Sequence, residues 1–384
     1  MKIRNWILAL MLSLCGVNVG AEELRISLLT CGAYDEVWAL YGHSALRVES
    51  PETGEDFVIN YGLFDFHQPN FVGRFLFGKC DYMMGFVPFD VFMTEFSSRG
   101  TSVYQQEINL TQEEKVSVLR ALEVNALPEN REYRYNFFYD NCATRPRDII
   151  LNNIPDKIVY LSKVDSTRTF RSMIHAYNEQ QPWCRLGNDM LLGVGADRRT
   201  SRADQQFLPD NLKDDFANAQ FVDPAGHKRP VVLTSGWILK GEPVYAKDFP
   251  LSPNVCGVVF LVVCIALCFY ERKAKRRFWQ LDAALLTVCG LLGVILFLMI
   301  FSEHPTVSVN LLILGLNPLL LVFWWRVVQE LRGKKKPKVC RIYLACLAVS
   351  IVAYLLNFLP IQEIPTAMFL VYVGLTGRVY LSTK

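Results

Sequence analysis

The hydrophobic and polar positions of this 384-residue chain follow two patterns, which change near residue 250. Charged residues occur throughout residues 22–250, where short alternating and helical patterns predict a mixture of strands and helices. The rest of the chain is mostly apolar and contains five runs that approach the ~20 residues needed to cross a hydrocarbon core. These runs lie near 251–270, 278–301, 310–328, 342–359 and 364–381. The sequence therefore predicts an α+β domain at 22–250 and an all-α transmembrane bundle of about five helices at 251–384.

The first 21 residues have the layout of a signal peptide. Lys2 and Arg4 form a basic head, an apolar run covers residues 6–14, and small residues at 19–21 provide a cleavage site. The apolar run is too short to cross a membrane as a helix. We therefore expect residues 1–21 to direct export of the domain at 22–250.

The basic residues of the C-terminal part predict its orientation. Residues 271–277 contain five lysines and arginines and residues 332–341 contain six, whereas loops 302–309 and 360–363 contain none. Positively charged loops stay in the cytoplasm. The pattern predicts a multi-pass protein of the inner membrane with a periplasmic N-terminal domain and a cytoplasmic C-terminus. Because the net charge of +3 comes largely from these loops, it gives no support for nucleic-acid binding.

Two alternating stretches predict a β-hairpin in the exported domain. The segments HSALRVES (43–50) and DFVINYG (56–62) flank the turn-forming PETGED, and residues 24–29 predict a further strand. His43 opens the first strand of the hairpin, and Asn60 and Tyr61 lie near the end of the second. Pairing of the strands would bring these residues close together.

Phenylalanines are dense between residues 62 and 98, where glycine, proline and aspartate interrupt the run too often for one helix. One interpretation is an aromatic core, and the other is an acyl-chain groove or a face dipped into the bilayer. The phenylalanines are Phe64, Phe66, Phe71, Phe75, Phe77, Phe86, Phe89, Phe92 and Phe96.

The segment 109–127 predicts a helix, because Thr111 and Glu114 match a capping box and an apolar stripe follows. The predicted stripe consists of Val116, Leu119, Leu122 and Ala126. The next aromatic, β-prone segment leads into a polar turn with Cys142, after which residues 148–154 have helical character. The local order is therefore strand, turn with Cys142, helix.

A cysteine just before a helix is a candidate nucleophile, because the positive end of the helix dipole favours the thiolate. Arg145 and Arg147 add positive charge nearby. A nucleophile needs a base and a residue that orients the base. His43 is the best candidate base, Asn60 is the candidate orienting residue, and His67 could equally be a surface or capping histidine.

Two structural interpretations of Cys142 compete with this chemistry. The exported domain has four cysteines, Cys31, Cys80, Cys142 and Cys184, and an even number in an oxidising compartment is typical of disulfides. A zinc site is less favoured, because no C-x-x-C or H-x-x-x-H spacing occurs. We expect no metal and no cofactor.

Several motifs in order resemble those of one protein family. The segments LYGHSALRV, INYGLFDF and YNFFYDNCATRPRD resemble the periplasmic domain of the Lnb family of bacterial lipoprotein N-acyltransferases. FSEHPTVSVN and LGLNPLL resemble the transmembrane module of that family, so the resemblance spans nearly the whole chain. That periplasmic domain is in turn similar to permuted papain-like enzymes of the NlpC/P60 and lecithin:retinol acyltransferase type.

The resemblance implies a function and the roles of particular residues. Cys142 is the implied nucleophile, His43 the base and Asn60 the third polar residue. The acyl donor would be a membrane phospholipid, and the acceptor would be a diacylglyceryl lipoprotein at the lipid bilayer. The backbone N–H groups at the start of the Cys142 helix would hold the oxyanion. Tyr61 and Tyr139 are expected to contribute to substrate binding.

Two further charged or titratable residues are also candidate substrate contacts. Arg145 lies in the Cys142 motif, and His304 lies with Glu303 in a short external loop, where it is either solvated or contacts a phosphate or the catalytic domain. Asp282, Arg326 and Arg378 lie near the cytoplasmic ends of their spans and are expected to be snorkelling anchors.

Two other functions fit the same sequence. A membrane-tethered cysteine amidase or peptidase would use the same cysteine and histidine with water as the acceptor. A non-catalytic envelope receptor or assembly factor would have Cys142 in a disulfide. The aromatic stretch and the five spans favour a lipid substrate.

Overall fold

A computed structural model describes residues 24–36, 38–64, 69–356 and 361–383, without the side chain of Val72. The predicted signal peptide at 1–21 and His67 therefore lie outside the described residues.

Ten strands and fourteen α-helices are described in these ranges, together with 3₁₀ helices at Val194–Asp197 and Leu311–Leu314. The strands are β1 (Arg25–Cys31), β2 (His43–Ser50), β3 (Glu55–Leu63), β4 (Asp81–Pro88), β5 (Val103–Ile108), β6 (Glu132–Arg134), β7 (Lys157–Tyr160), β8 (Ala219–Val222), β9 (Lys228–Pro230) and β10 (Val232–Leu239). The helices are α1 (Phe71–Leu76), α2 (Phe89–Arg99), α3 (Gln112–Ala126), α4 (Thr144–Asn152), α5 (Phe170–Tyr177), α6 (Pro182–Leu191), α7 (Arg202–Gln205), α8 (Pro209–Ala217), α9 (Pro253–Ala274), α10 (Trp279–Met299), α11 (Leu319–Val322), α12 (Trp324–Leu331), α13 (Lys338–Leu355) and α14 (Thr366–Ser382).

The chain forms two compact units, and each unit consists of segments that are separated in the sequence. The first unit, here called the sheet unit, contains residues 1–71, 80–166 and 200–246. The second, here called the membrane unit, contains residues 72–79, 167–199 and 247–384. A short part of the β3–β4 connection and the segment 167–199 thus group with the apolar helices.

The sheet unit is built on a seven-stranded sheet in the order β10-β5-β1-β2-β3-β4-β6, and all neighbouring strands pair antiparallel. The predicted hairpin is confirmed as β2 and β3, with Ala45 paired to Asn60, and the predicted first strand is confirmed as β1. This register places His43 and Asn60 at the same end and on the same face of the hairpin, because side chains alternate along a strand.

Apolar side chains cover both faces of this sheet. The larger cluster packs against α3, α4 and α8, and a smaller one around Leu29 and Val58 packs against Phe92 and Phe96 of α2. Helix α3 has the predicted capping box, in which Thr111 Oγ1 accepts from Glu114 N–H. The buried stripe, however, follows Val118, Leu122 and Ala126, and the prediction for Val116 is wrong because that residue lies 37% exposed.

Residues 155–250 contain no motif that indicates a chemical role, and they form several short elements. Strands β7, β8 and β9 form a separate three-stranded sheet, and β10 returns to pair with β5 at the edge of the large sheet. Helix α8 contributes Leu212 and Phe216 to the large core. The sequence predicts loops joined by short elements here, but the weak periodicity of such elements does not give their bounds.

In the membrane unit, α9, α10 and α13 are long and apolar enough to cross a membrane. Residues 311–331 form a fourth apolar segment, which bends by 94° between Val322 and Trp324. Helix α14 is also apolar, but it has 17 residues. These elements match the five predicted apolar runs in position.

Contacts inside the membrane unit show how these segments run. Arg378 of α14 bonds to Glu271 of α9 and Asp282 of α10, so these helix ends lie together. At the other end, Gln362 bonds to Asn310. Since α10 and α13 each connect one end to the other, the bent segment 311–331 must also lead across. The described part of the membrane unit therefore contains three helices of membrane-spanning length, a bent fourth segment and the shorter apolar helix α14.

The expected snorkelling is wrong for Asp282 and Arg378. Arg378 is 1% exposed, and its guanidinium contacts Glu271 and Asp282 at 2.8–2.9 Å. A buried charge needs such partners because it has left water. The three side chains therefore join α9, α10 and α14 at one end of the unit.

The segment 167–199 is held in the membrane unit by a second buried charge cluster. Arg171 is completely buried and donates to Asp189, to both carboxylate oxygens of Asp197 and to the Leu192 carbonyl. Asp189 also contacts the His175 imidazole, at 2.7 Å. Helices α5 and α6 are thereby fastened together through one guanidinium.

Glycines in this segment allow the backbone to approach the loop before residue 311. Gly193 N–H donates to the Thr306 carbonyl, and a β-carbon at Gly193 would lie 2.0 Å from the Val309 carbonyl oxygen. Asn310 Nδ2 donates to the Met190 carbonyl, and Gln362 Nε2 donates to the Leu192 carbonyl. Within the membrane unit, the segment is thus held against residues 306–310 and Gln362 by backbone and side-chain hydrogen bonds, and a side chain at residue 193 would clash with the Val309 carbonyl.

Candidate active site

Cys142 lies in the turn immediately before α4, as the sequence predicts. The Asn141 side chain holds this turn, because its Oδ1 accepts from the N–H groups of Ala143 and Thr144 at 2.9 and 3.0 Å. Asn141 Nδ2 donates to the carbonyls of Phe137 and Phe207. The helix begins at Thr144, so the turn with Cys142 precedes its first regular residue.

The capping role of Asn141 changes the expected oxyanion site. The N–H groups of Ala143 and Thr144 already donate to Asn141, and the N–H of Arg145 donates to the Asn141 carbonyl. These groups at the helix start are therefore occupied. The backbone N–H groups that approach the Cys142 sulfur are those of Ser44 and of Cys142 itself.

His43 and Asn60 meet Cys142 at the end of the β2–β3 hairpin. His43 Nε2 donates to Asn60 Oδ1 at 2.9 Å, and the His43 and Cys142 side chains are hydrogen-bonded to each other. Because Nε2 contacts Asn60, Nδ1 is the nitrogen that faces the sulfur. The imidazole of His43 thus lies between a thiol and an amide and is hydrogen-bonded to both, an arrangement that resembles the nucleophile, base and orienting residue of covalent catalysis.

Gly62 lies beside these residues in a backbone conformation that favours glycine. It has a φ of +96°, and a β-carbon there would lie 3.9 Å from Cys142 Cβ and 4.0 Å from the Tyr135 ring. The strand is irregular at this point, because the pairing of β3 with β4 shifts between Asn60 and Leu63. A glycine tolerates this backbone conformation at no steric cost.

The electrostatics of the pair favour a thiolate and an imidazolium. Burial by itself raises the pKa of the Cys142 thiol, but the His43 charge, the His43 hydrogen bond and the Ser44 N–H bring the pKa below its ordinary value. Burial by itself lowers the pKa of His43, whereas the Cys142 charge and hydrogen bond, with the Asn60 bond, raise it. Each group shifts the pKa of the other toward its charged form.

Two buried tyrosine hydroxyls lie beside this site without a hydrogen-bond partner among the residues that the structure describes. They belong to Tyr61 and Tyr133, which are 1% and 7% exposed. The Arg145 guanidinium lies 3.5 Å from the centre of the Tyr133 ring and forms two bonds with Asp140. Burial, followed by the Cys142 charge, raises the pKa of Tyr133. No motif distinguishes Tyr133 from the aromatic residues around it, so its position beside the site could not be predicted from the sequence.

Three of the residues predicted to bind substrate lie near one another in the sheet unit. Tyr139 and Arg145 line a surface groove of about 400 Å³ together with Asp140 and Asp148. The Arg145 guanidinium also lies 5.9 Å from the centre of the buried Tyr61 ring. The fourth residue, His304, belongs to the membrane unit.

His304 contacts residues of the β3–β4 connection inside the membrane unit. A β-carbon at Gly78, which has a φ of +68°, would lie 3.0 Å from the His304 backbone nitrogen. The His304 ring lies edge-on to Phe75, at 6.3 Å between ring centres. Burial lowers the pKa of His304, so its neutral form is favoured at physiological pH.

The ten cysteines among the described residues are all free, including Cys31, Cys80, Cys142 and Cys184. Within the same residues, no group of three histidine, cysteine or acidic side chains is arranged to hold a metal ion.

Two family models match the chain. One is described as the Lnb N-terminal periplasmic domain and matches residues 17–175, and the other is described as the Lnb transmembrane domain and matches residues 245–383. The chain belongs to the Lnb family. The Lnb matches leave residues 1–16, 176–244 and 384 uncovered, and they contain Cys142, His43, Asn60 and His304.

Membership of the Lnb family establishes a membrane protein with a periplasmic N-terminal part. Comparisons with curated proteins and with solved structures found no match. The roles of individual residues therefore rest on the geometry described above.

Proposed function

We propose that the chain is a lipoprotein N-acyltransferase of the inner membrane. It would move an acyl chain from a phospholipid to the N-terminal amine of a diacylglyceryl-cysteine lipoprotein through a thioester on Cys142. The observation that carries the proposal is the hydrogen-bonded Cys142–His43 pair, in a chain that also has an apolar membrane unit.

In the first half-reaction the Cys142 thiolate attacks the carbonyl carbon of a phospholipid ester. The S–C bond forms, and the tetrahedral intermediate then collapses with cleavage of the ester C–O bond. The His43 imidazolium gives its proton to the departing alkoxide, so a lysophospholipid leaves and the acyl group stays on sulfur.

In the second half-reaction the lipoprotein amine attacks the thioester. Neutral His43 takes a proton from the amine, the N–C bond forms and the C–S bond breaks. The products are an amide on the lipoprotein and the original thiolate–imidazolium pair. Asn60 would hold the imidazole so that Nδ1 faces both the sulfur and the incoming amine.

The oxyanion of each tetrahedral intermediate requires donors other than those of the helix start. The N–H groups of Ser44 and Cys142 approach the sulfur and are the proposed donors. One well-placed oxyanion donor contributes roughly 3–4 kcal/mol to transition-state stabilisation.

The proposed substrate contacts follow the positions of the side chains. Tyr139 and Arg145 line the surface groove and would contact the polar part of the donor or acceptor. Tyr61 would use its unpartnered hydroxyl. His304 would contact a phosphate at the membrane surface.

The membrane unit suits two substrates that are both anchored in a bilayer. Holding the site at the lipid surface lowers the entropic cost of bringing the reactants together. The basic stretches at 271–277 and 332–341 support a cytoplasmic location of the C-terminus, because both lie at the end of the unit to which α14 runs.

Trapping the acyl-enzyme tests the proposal directly. The protein in nanodiscs with a phospholipid of defined acyl chain is quenched with acid, and intact-mass spectrometry is used to find the acyl adduct on the Cys142 peptide. We expect the adduct in the wild type and its loss in Cys142→Ser, while His43→Ala forms it more than about 100-fold more slowly. Cys184→Ser and His227→Ala are matched controls outside the site.

Three outcomes would count against the proposal. A Cys142 that resists alkylation without reductant would indicate a disulfide and a non-catalytic protein. An adduct that water alone discharges in the presence of a diacylglyceryl peptide would indicate a hydrolase. Lipoproteins that keep the third acyl chain in cells with Cys142→Ser as the only copy would exclude the transferase.

A further inference from the structure

Four aromatic rings of the sheet unit form a continuous stack. Tyr135 and Tyr82 stack at 4.1 Å between ring centres, Tyr82 and Phe64 at 4.7 Å, and Phe64 and Phe71 at 6.2 Å. The planes of successive rings differ by 15°, 21° and 20°. These rings come from the residue after β6, from β4, from the residue after β3 and from the start of α1, and together they form one aromatic wall.

One end of this wall lies beside the nucleophile. The Tyr135 ring and Cys142 Cβ both approach the same point next to Gly62, at 4.0 and 3.9 Å. Burial, followed by the Cys142 charge, raises the pKa of Tyr135, which agrees with this proximity. The part of an acyl chain nearest the Cys142 sulfur would therefore contact the Tyr135 ring.

The wall leads away from Cys142 toward an accessible edge. Tyr82 is 9% exposed, while Tyr135, Phe64 and Phe71 are only partly buried at the rim of the large core. Trp38 lies edge-on to Phe64 at 6.1 Å and is 54% exposed. Phe71 is the last residue before the chain enters the membrane unit at residue 72.

The dimensions and chemistry of the wall suit a hydrocarbon chain. The three ring separations together reach about 15 Å, the scale of an extended dodecanoyl group. The wall consists of aromatic ring surfaces along this length, two of them phenol rings, and it ends at the partly exposed Phe71. Burial of methylene groups against such a surface is favourable and grows with each group added.

We propose that the stack of Tyr135, Tyr82, Phe64 and Phe71 binds the acyl chain carried by Cys142 and sets its preferred length. This inference rests on the proposed acyl transfer and deepens it, because it names the residues that contact the hydrocarbon. Phe64, in the middle of the stack, would contact the middle of the chain, and Phe71 would contact its end.

A competition experiment tests the inference. The protein in nanodiscs receives an equimolar mixture of phosphatidylethanolamines with dodecanoyl, tetradecanoyl, hexadecanoyl or octadecanoyl chains, and mass spectrometry measures the acyl groups on Cys142. One methylene more or less in an apolar site changes selectivity by about tenfold or more. We expect Phe64→Leu and Phe71→Leu each to change the ratio of hexadecanoyl to dodecanoyl adduct by about tenfold.

Phe57→Leu is the matched control. Phe57 lies in strand β3, which ends one residue before Phe64, and it is partly buried like Phe64. It packs against Phe86 at an angle of 57° between the rings, outside the stack. We expect this variant to keep the wild-type adduct ratio. Thermal unfolding of each variant in nanodiscs checks that the fold survives, and Phe71→Leu serves if Phe64→Leu does not fold.

The outcomes separate the two proposals. Wild-type protein that forms no adduct with any chain would refute the proposed function itself. Adducts that form normally, with the same length distribution in wild type, Phe64→Leu and Phe71→Leu, would refute the acyl-chain site while leaving acyl transfer intact.

Discussion

The two units each contain a buried polar cluster, and the clusters differ in how completely their groups are paired. In the membrane unit, every nitrogen of Arg171 donates to a carboxylate or a carbonyl oxygen. In the sheet unit, Cys142 and His43 share one hydrogen bond beside the unpartnered hydroxyls of Tyr61 and Tyr133. The described residues thus provide a hydrogen-bond partner for every side-chain nitrogen of Arg171. They provide none for the two tyrosine hydroxyls beside Cys142.

This difference is the one expected between a structural cluster and the reactive cluster proposed at Cys142. A buried charge whose partners are complete gains nothing from a ligand and costs much when one partner is removed. A nucleophile has to keep lone pairs and space free for its substrate. The fraction of polar atoms in a buried cluster that have a hydrogen-bond partner therefore indicates the role of the cluster better than its charge or its burial does.

The largest effect on stability is expected from Arg171→Met. Removing the guanidinium leaves Asp189 and Asp197 buried without it, and breaking such a cluster costs about 3–5 kcal/mol. Thermal unfolding in nanodiscs and hydrogen exchange of residues 167–199 measure the loss. Arg185→Met is the control, because that side chain is 39% exposed and should cost under about 1 kcal/mol. Equal protection of 167–199 in Arg171→Met and wild type would contradict the structural role.

The next largest effect concerns the rate of acylation in Asn60→Ala. His43 would keep its contact with Cys142 but lose the amide that orients its ring, so we expect Cys142 to acylate roughly 100-fold more slowly. Single-turnover adduct formation measures this, and the melting temperature should change little. Wild-type rates in Asn60→Ala would show that the amide does not position the base.

The pH dependence of Cys142 alkylation tests whether Cys142 and His43 form a charged pair. The pKa of Cys142 is lowered and the pKa of His43 is raised. The thiolate–imidazolium pair is therefore lost when the pH falls below the pKa of Cys142, because the thiolate is protonated. It is also lost when the pH rises above the pKa of His43, because the imidazolium loses its proton. Alkylation by iodoacetamide, followed peptide by peptide, should therefore reach half its maximum at lower pH for Cys142 than for Cys184, whose pKa burial raises.

His43→Ala should reverse this order. Without the imidazolium, burial is the largest remaining influence on Cys142 and moves its alkylation to higher pH. If Cys142 and Cys184 titrate alike in the wild type, the two side chains do not form a charged pair.

The smallest effect is expected from Tyr133→Phe. Its hydroxyl has no partner among the described residues, so its removal should leave stability unchanged or raise it by up to about 1 kcal/mol. Tyr343→Phe is the contrasting control, because that hydroxyl donates to the Gly315 carbonyl at 2.7 Å and its loss should cost about 1–3 kcal/mol. Equal destabilisation in both variants would mean that Tyr133 has a partner after all.

Local patterns of the sequence predicted much of the sheet unit that surrounds Cys142. Alternation in residues 43–62 predicted the hairpin, and the capping box at Thr111 predicted the start of α3. These features depend on neighbours within a few residues of one another. The position of Val116 was wrong, because several apolar residues along α3 compete to define its buried face.

Pairings between distant segments could not be predicted in the same way. Nothing local in residues 167–199 indicates that Arg171 would be buried or that Gly193 would touch the loop before residue 311. The capping by Asn141, which occupies the expected oxyanion donors, and the ring stack ending at Phe71 also depend on side-chain geometry.

The sequence by itself determined the division into a polar and an apolar part, the hairpin with His43 and Asn60, and Cys142 before a helix. Hydrophobic periodicity, turn chemistry and charge asymmetry act over short distances along the chain, so they can be read without a structure. Tertiary structure alone decided which buried polar groups are paired and which are not. That outcome depends on atoms brought within about 3 Å of each other from residues far apart in sequence, a distance at which hydrogen bonds form.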